Sequence, residues 1–291
     1  MALLATPAAQ ATSVRGVPVT QPRLGPPRSR SGGPADPLTR LCFDAWLLAS
    51  HAPPGNAGLP DGRSWEQSVA AVLVTTGFGR RQGPGTTTLL GATSASGVAH
   101  ELDGAGQALG PQGTAWDETA ILESKAVTSL NKTEVTNFWA KVFDFYAEAV
   151  PSAGAASWHA ILVSAGTVSP ALRKLCAQRA VVLVDPERIP LPVLLWMAGR
   201  PNADDRLPGP LLAECLRLGT PAVASIQQRW PVLSDGTIAF DPRWWNASSL
   251  ADLCFIHDEL SGAVLDLCDR DMPGALEGRA GALAAALHQV M

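Results

Sequence analysis

The segment Val98-Ala99-His100-Glu101-Leu102-Asp103-Gly104, followed by Ile121-Leu122-Glu123-Ser124-Lys125-Ala126, decides how this chain of 291 residues reads. In an extended strand, side chains at i and i+2 share a face. Glu123 and Lys125 therefore point together, with Leu122 and Ser124 turned away, and Glu101 and Asp103 share a face of the preceding strand. If those two strands pair, Asp103 meets Glu123 and Lys125 at one end of a sheet. Two acids and a lysine then project from segments whose other residues belong to a core.

Neighbouring carboxylates repel and desolvate badly unless a cation lies between them, and one lysine offsets only one charge. Oxygen donors with positions left for water suit Mg²⁺ or Mn²⁺. Such a metal polarises a phosphate and acidifies its bound water, while an adjacent amine orients that water or stabilises developing negative charge. Phosphodiester hydrolysis needs this combination. The basic inventory points the same way: of 22 basic residues only Lys125, Lys132, Lys141 and Lys174 are lysines. A lysine in an arginine-rich chain suggests a task for a compact ammonium whose pKa can shift.

The flanking pattern predicts an α/β protein. Asp36-Pro37 reads as the start of a helix to Ser50, and Ser64-Trp65-Glu66-Gln67 as a capping box opening a helix that ends at Gly77. Trp65, Val69, Val72, Leu73 and Thr76 mark its buried face. Strands are expected at Thr86–Ala92, Gly97–Asp103 and Thr119–Val127, then a helix over Lys132–Val150. A strand at His159–Ala165, a helix at Ser169–Gln178, a strand at Ala180–Asp185 and a helix at Pro190–Ala198 follow. Gly77–Gly85 carries Arg80 and Arg81 but no GK[ST], so it reads as a turn and not a P-loop.

With that order on the page, the chain resembles the PD-(D/E)XK nuclease superfamily, a restriction-endonuclease-like mixed sheet flanked by helices. Asp103 matches the acid ending the second strand, Glu123-Ser124-Lys125 matches (D/E)XK, and Glu66 matches the acid on the helix before the sheet. The texture is similar to the Mrr-like branch, where a run "hELD…ilEsKa…F..K" occurs. Leu102 stands where that family's motif has proline. The resemblance covers residues 60–185. It implies that Asp103 and Glu123 bind Mg²⁺ (or Mn²⁺) with help from the Ser124 carbonyl, that Lys125 positions the nucleophilic water, and that Glu66 assists. Glu66, Asp103, Glu123 and Lys125 are then the catalytic set of a DNA endonuclease in restriction, defence or DNA processing.

Blander readings stay beside this one. Glu123-Ser124-Lys125 also fits the solvated face of an edge strand, and Glu66 also fits helix N-terminal electrostatics. Glu101 reads as a sheet-edge charge, and His100 as packed or exposed. Lys132 and Lys141 lie on opposite sides of one helix, so only one of them is expected to face the site. Phe138, Trp139, Phe143, Phe145 and Tyr146 read mainly as core. The functional rivals are a catalytically retired nuclease fold acting as a nucleic-acid-binding or assembly subunit, and an unrelated acidic α/β enzyme.

Composition bounds the rest. Net charge is −4, against a protein that coats nucleic acid non-specifically. Residues 1–36, rich in Ala, Pro, Gly, Ser and Thr, read as a disordered basic arm. Residues 37–199 are expected to form the core and 200–291 an acidic helical extension, a surface for a partner protein or a second copy. Cys42, Cys176, Cys215, Cys254 and Cys268 form no CxxC pair, so reduced thiols in the cytoplasm are expected. No apolar run has membrane-spanning length.

Overall fold

A computed structural model describes residues 37–51, 60–109, 115–153, 157–179 and 181–194. Beyond 256 it describes all residues except 259–260, 263, 267–268 and 271–272. The expected arm at 1–36, most of the expected extension, and the end of the helix expected at Pro190–Ala198 lie outside the described residues.

The chain forms a mixed α/β sheet flanked by helices. In order, its elements are α1 (Pro37–Ser50), α2 (Gly62–Thr75), β1 (Phe78–Gln82), β2 (Gly104–Leu109), β3 (Ala115–Lys125), α3 (Lys132–Ala153), β4 (Ser157–Ser164), α4 (Pro170–Gln178), β5 (Val181–Val184) and α5 (Ala275–Val290). Among the described residues the five strands lie side by side in sequence order, β1 to β3 antiparallel and β3 to β5 parallel. Parallel neighbours need crossovers, which α3 and α4 provide.

Period-2 alternation splits the strands between two cores. Ala120 and Leu122 of β3, Ile161 and Val163 of β4, and Val182 and Val184 of β5 pack with α1, α2 and α5. Ile121, Ala160, Leu162 and Val181 pack on the other side with Val135, Phe138 and Phe145 of α3 and Cys176 of α4. Strands covered on both faces read as unbroken apolar runs, which is why β4 and β5 were recognisable. Leu283 and Leu287 of α5 join the α1/α2 core, so the C-terminal helix shares the main core.

Two expectations are corrected. The strands at Thr86–Ala92 and Gly97–Asp103 are not formed. Those residues make turns and isolated bridges, Thr86 with Leu102 and Leu89 with Ala92. The first two strands instead fall on glycine-containing stretches, β1 within Gly77–Gly85, which reads as a turn, and β2 starting at Gly104. At β2 the glycines are there for close packing: a Cβ on Gly106 would stand 2.8 Å from Phe78 Cδ1 and 2.9 Å from Leu73 Cδ2. α2 can approach the sheet only because that side chain is missing. Asp103 accordingly stands immediately before the second strand and does not end it. Second, α2 is capped by Asp61, whose Oδ2 accepts from Ser64 N at 3.0 Å. Ser64 lies inside the first turn, and its box with Gln67 is not the cap. The predicted face of α2 is otherwise as read, with Trp65, Val69, Val72, Leu73 and Thr76 buried.

Candidate active site

The β2–β3 register pairs Gly104 with Leu122, which sets Asp103 opposite Glu123 at the C-terminal end of β3. Both acids are buried, Asp103 at 8% and Glu123 at 4% exposure. Asp103 Oδ2 accepts from the Ser124 backbone N–H at 2.7 Å and from Ser124 Oγ at 3.0 Å. The serine hydroxyl, expected to turn away, thus donates to Asp103.

Glu123 shares the face of Ile121 and points toward α3. Its Oε1 accepts from Lys125 Nζ at 2.7 Å. Lys141, reaching across from α3, places Nζ 3.0 Å from both Oε1 and Oε2, and 2.9 Å from the Glu101 carbonyl oxygen. Lys132 is exposed at the start of α3. Of the two helix lysines, Lys141 is therefore the one at the site. Helical spacing alone does not select Lys141 over Lys132, and the signal that marks it is the scarcity of lysine in this chain.

The charges of these groups act on one another. Burial raises the Asp103 pKa, and Glu123 raises it further, against the Ser124 hydrogen bonds and Lys125. Glu66, half-buried on α2, is raised by burial and then by Asp103. Lys125 pulls it down, and Glu101 and Glu123 push it up. Its carboxyl therefore lies within the field of the whole cluster. For Lys125, burial alone would depress the ammonium. The Glu123 contact, with Asp103 and Glu134 adding to it, reverses this and leaves its pKa above the ordinary value.

Asp103, Glu123 and Lys125 thus stand together at one sheet end, Asp103 opposite Glu123 in register and Glu123 bonded to Lys125, while Glu66 on α2 is linked to them through its charge. Among the described residues, the carboxylates acting here are Asp103, Glu123, Glu66 and Glu101 and the ammoniums are Lys125 and Lys141, so carboxylates outnumber ammoniums. Among the described residues no three His, Cys, Asp or Glu side chains are grouped as a metal cluster. A hard divalent ion does not require that: Mg²⁺ is commonly held by one or two carboxylates, with water and substrate oxygens completing its shell. The all-oxygen donors and the surplus negative charge fit such an ion.

The approach to Asp103 is stapled to α3. Asp144 accepts from Ser96 N at 2.9 Å, from Ser96 Oγ at 2.5 Å, and pairs with His100 Nε2 at 2.7 Å. The Ser96 hydroxyl first, then His100 and the Ser96 amide, hold the Asp144 carboxyl down at about 2 against its burial, and His100 lies edge-on to Phe145. On the same helix Phe138 and Phe145 are core, whereas Phe143 is 50% exposed and stacks on Trp139. The Gly77–Gly85 segment is no simple turn, since β1 runs between two left-handed glycines, at φ 88° and 83°.

No helix among the described residues is long and apolar enough to cross a membrane. Compared with known proteins, the chain matches no family model, no curated protein and no solved structure.

Proposed function

We propose that the protein is a Mg²⁺- or Mn²⁺-dependent endonuclease with a restriction-endonuclease-like core, hydrolysing DNA phosphodiester bonds at this cluster. The observation that carries the reading is the convergence of Asp103, Glu123 and Lys125 at one sheet end, with Glu66 within their field. Asp103 and Glu123 would hold the ion with the Ser124 carbonyl. When bound, the ion supplies a Lewis acid for the phosphate and acidifies its water. Lys125, fixed two residues from Glu123 on the same strand face, orients the attacking water and offsets charge on the phosphate. Glu66 assists from α2 by holding water or a second ion. The Ser124 hydrogen bonds fix the Asp103 carboxylate so that it need not reorganise as charge develops.

The experiment is divalent-dependent nicking of plasmid DNA, methylated and unmethylated, with Mg²⁺ or Mn²⁺ set against Ca²⁺ and EDTA. Lys125→Ala abolishes cleavage while leaving DNA and metal binding largely intact, and Asp103→Ala loses metal binding as well. Lys125→Arg is also inactive, because a planar fork cannot take the ammonium's position or shift its pKa alike. Cleavage retained by Lys125→Ala refutes the mechanism. DNA bound by the wild type but cut under no condition favours the catalytically retired nuclease fold, a reading that the saturation of Glu123 by two lysines also accommodates.

A further inference from the structure

Resting on the metal-centre reading above, we propose that Lys141 is a built-in competitor for the divalent ion, holding Glu123 until the ion arrives and then letting go. The three protons of its ammonium are matched by three oxygens: both of the Glu123 carboxylate and the Glu101 carbonyl, all at 2.9–3.0 Å. Lys125 takes Oε1 at 2.7 Å as well. One carboxylate thus carries two ammoniums, the same formal charge that a divalent ion would bring. An ion binding at Glu123 meets their repulsion, so one of them must yield.

Lys141 is the one built to yield. Lys125 is fixed beside Glu123 by the pleat of β3, and Asp103 and Glu134 also attract it. Lys141 reaches in from a different element on a long flexible stem, and its other anchor is a neutral carbonyl. Its chemical type fits that task. The chain has only four lysines against eighteen arginines. Where it builds a permanent buried pair it uses Arg173, whose Nε and Nη2 take both oxygens of Asp185 at 3.3 and 3.0 Å. An arginine fork would lock onto Glu123 in the same way, whereas a point-charge ammonium lets go by rotating its stem. The released ammonium then lies beside the bound ion, placed to meet a backbone phosphate of the nucleic acid. Metal arrival and substrate capture are thereby coupled.

The test uses Mn²⁺ alone, without nucleic acid, titrated calorimetrically into the full chain. Lys141→Met is expected to bind Mn²⁺ roughly 5-fold tighter than wild type or more, the lower range of ordinary site-to-site coupling. Lys141→Gln, which keeps the stem and a donor without the charge, tightens binding similarly. An unfolding transition like that of wild type shows that its fold is retained. Lys141→Arg weakens binding. If wild type binds Mn²⁺ and both neutral variants bind it equally or more weakly, Lys141 is a positioning residue for Glu123; the competition is then refuted and the metal-centre reading survives. If neither wild type nor the neutral variants bind Mn²⁺, the metal-centre reading falls and this inference with it.

Discussion

Among the described residues stand two buried charge clusters, and they are built differently. At β5, Arg173 lies almost wholly buried with its fork on Asp185, and the same guanidinium reaches Glu187 at 2.6 Å. The Glu187 backbone N–H donates to Asp185 at 3.0 Å, closing the turn. Burial works against the guanidinium, yet Asp185 and Glu187 outweigh it and leave its pKa raised. At β3, by contrast, two lysines crowd one carboxylate, while Asp103 is left with its pKa raised by burial and by Glu123. The first arrangement ties two carboxylates to one planar fork, and the second holds one carboxylate with two separate point charges. A buried ion pair of fixed geometry supports the fold, whereas a cluster of movable ammoniums is suited to chemistry.

The sharpest way to break that contrast is Arg173→Met. It strands Asp185, itself only 3% exposed, and is expected to cost about 3–5 kcal/mol of unfolding free energy in a urea titration. A loss below about 1 kcal/mol would show that the β5 cluster supports the fold no more than an exposed pair does.

Asp103→Asn should behave oppositely. Removing one of two facing carboxylates relieves repulsion with Glu123, so without metal the variant stays within about 1 kcal/mol of wild type, or above it. The pH dependence fixes the sign. A carboxyl whose folded pKa is raised binds its proton more readily when folded, so its ionisation costs stability as pH rises from the ordinary 3.8 through the folded value. The advantage of Asp103→Asn is therefore present at neutral pH and disappears in acid. An advantage that persisted below pH 3.8 would not come from the carboxylate charge.

The smallest effect is expected at the staple. Asp144 has the opposite sign, with its carboxyl held at about 2, so its contribution is present above the unfolded value and is lost as pH falls from 3.8 toward 2. Asp144→Ala should strip protection from the Ser96 amide in hydrogen exchange while leaving the Ile161 amide in β4 unchanged. If Ser96 stayed protected, the loop leading to Asp103 would be held by other contacts.

Much of the site was legible because strand chemistry is local. Alternation alone places Glu123 with Lys125, and pairing alone brings Asp103 to them, so a two-residue period and one assumption about neighbours sufficed. The first two strands were not legible. Glycine in β2 looks like loop composition until α2 is seen lying on it, with Phe78 and Leu73 where the Gly106 side chain would go. Pro170 after Ser169 starts α4 as its sequence suggests, with Ser169 Oγ accepting from Leu172 N. Asp61, three residues ahead of the box at Ser64, captured the start of α2 because its carboxylate reaches the third amide of the helix.

By itself the sequence determined what short-range periodicity can carry: the α/β class, the apolar runs of β4 and β5, the buried face of α2, and the presence of two acids and a lysine at one strand end. Only the tertiary structure decided which distant groups join them. Lys132 and Lys141 lie on one helix at positions that look equally plausible, and the packing of α3 against β3 selects Lys141 for Glu123. Glu66 enters the field of Asp103 only because glycines in β2 let α2 come close. Side-chain direction along one element follows from local backbone geometry, but contact between elements depends on how closely their faces fit.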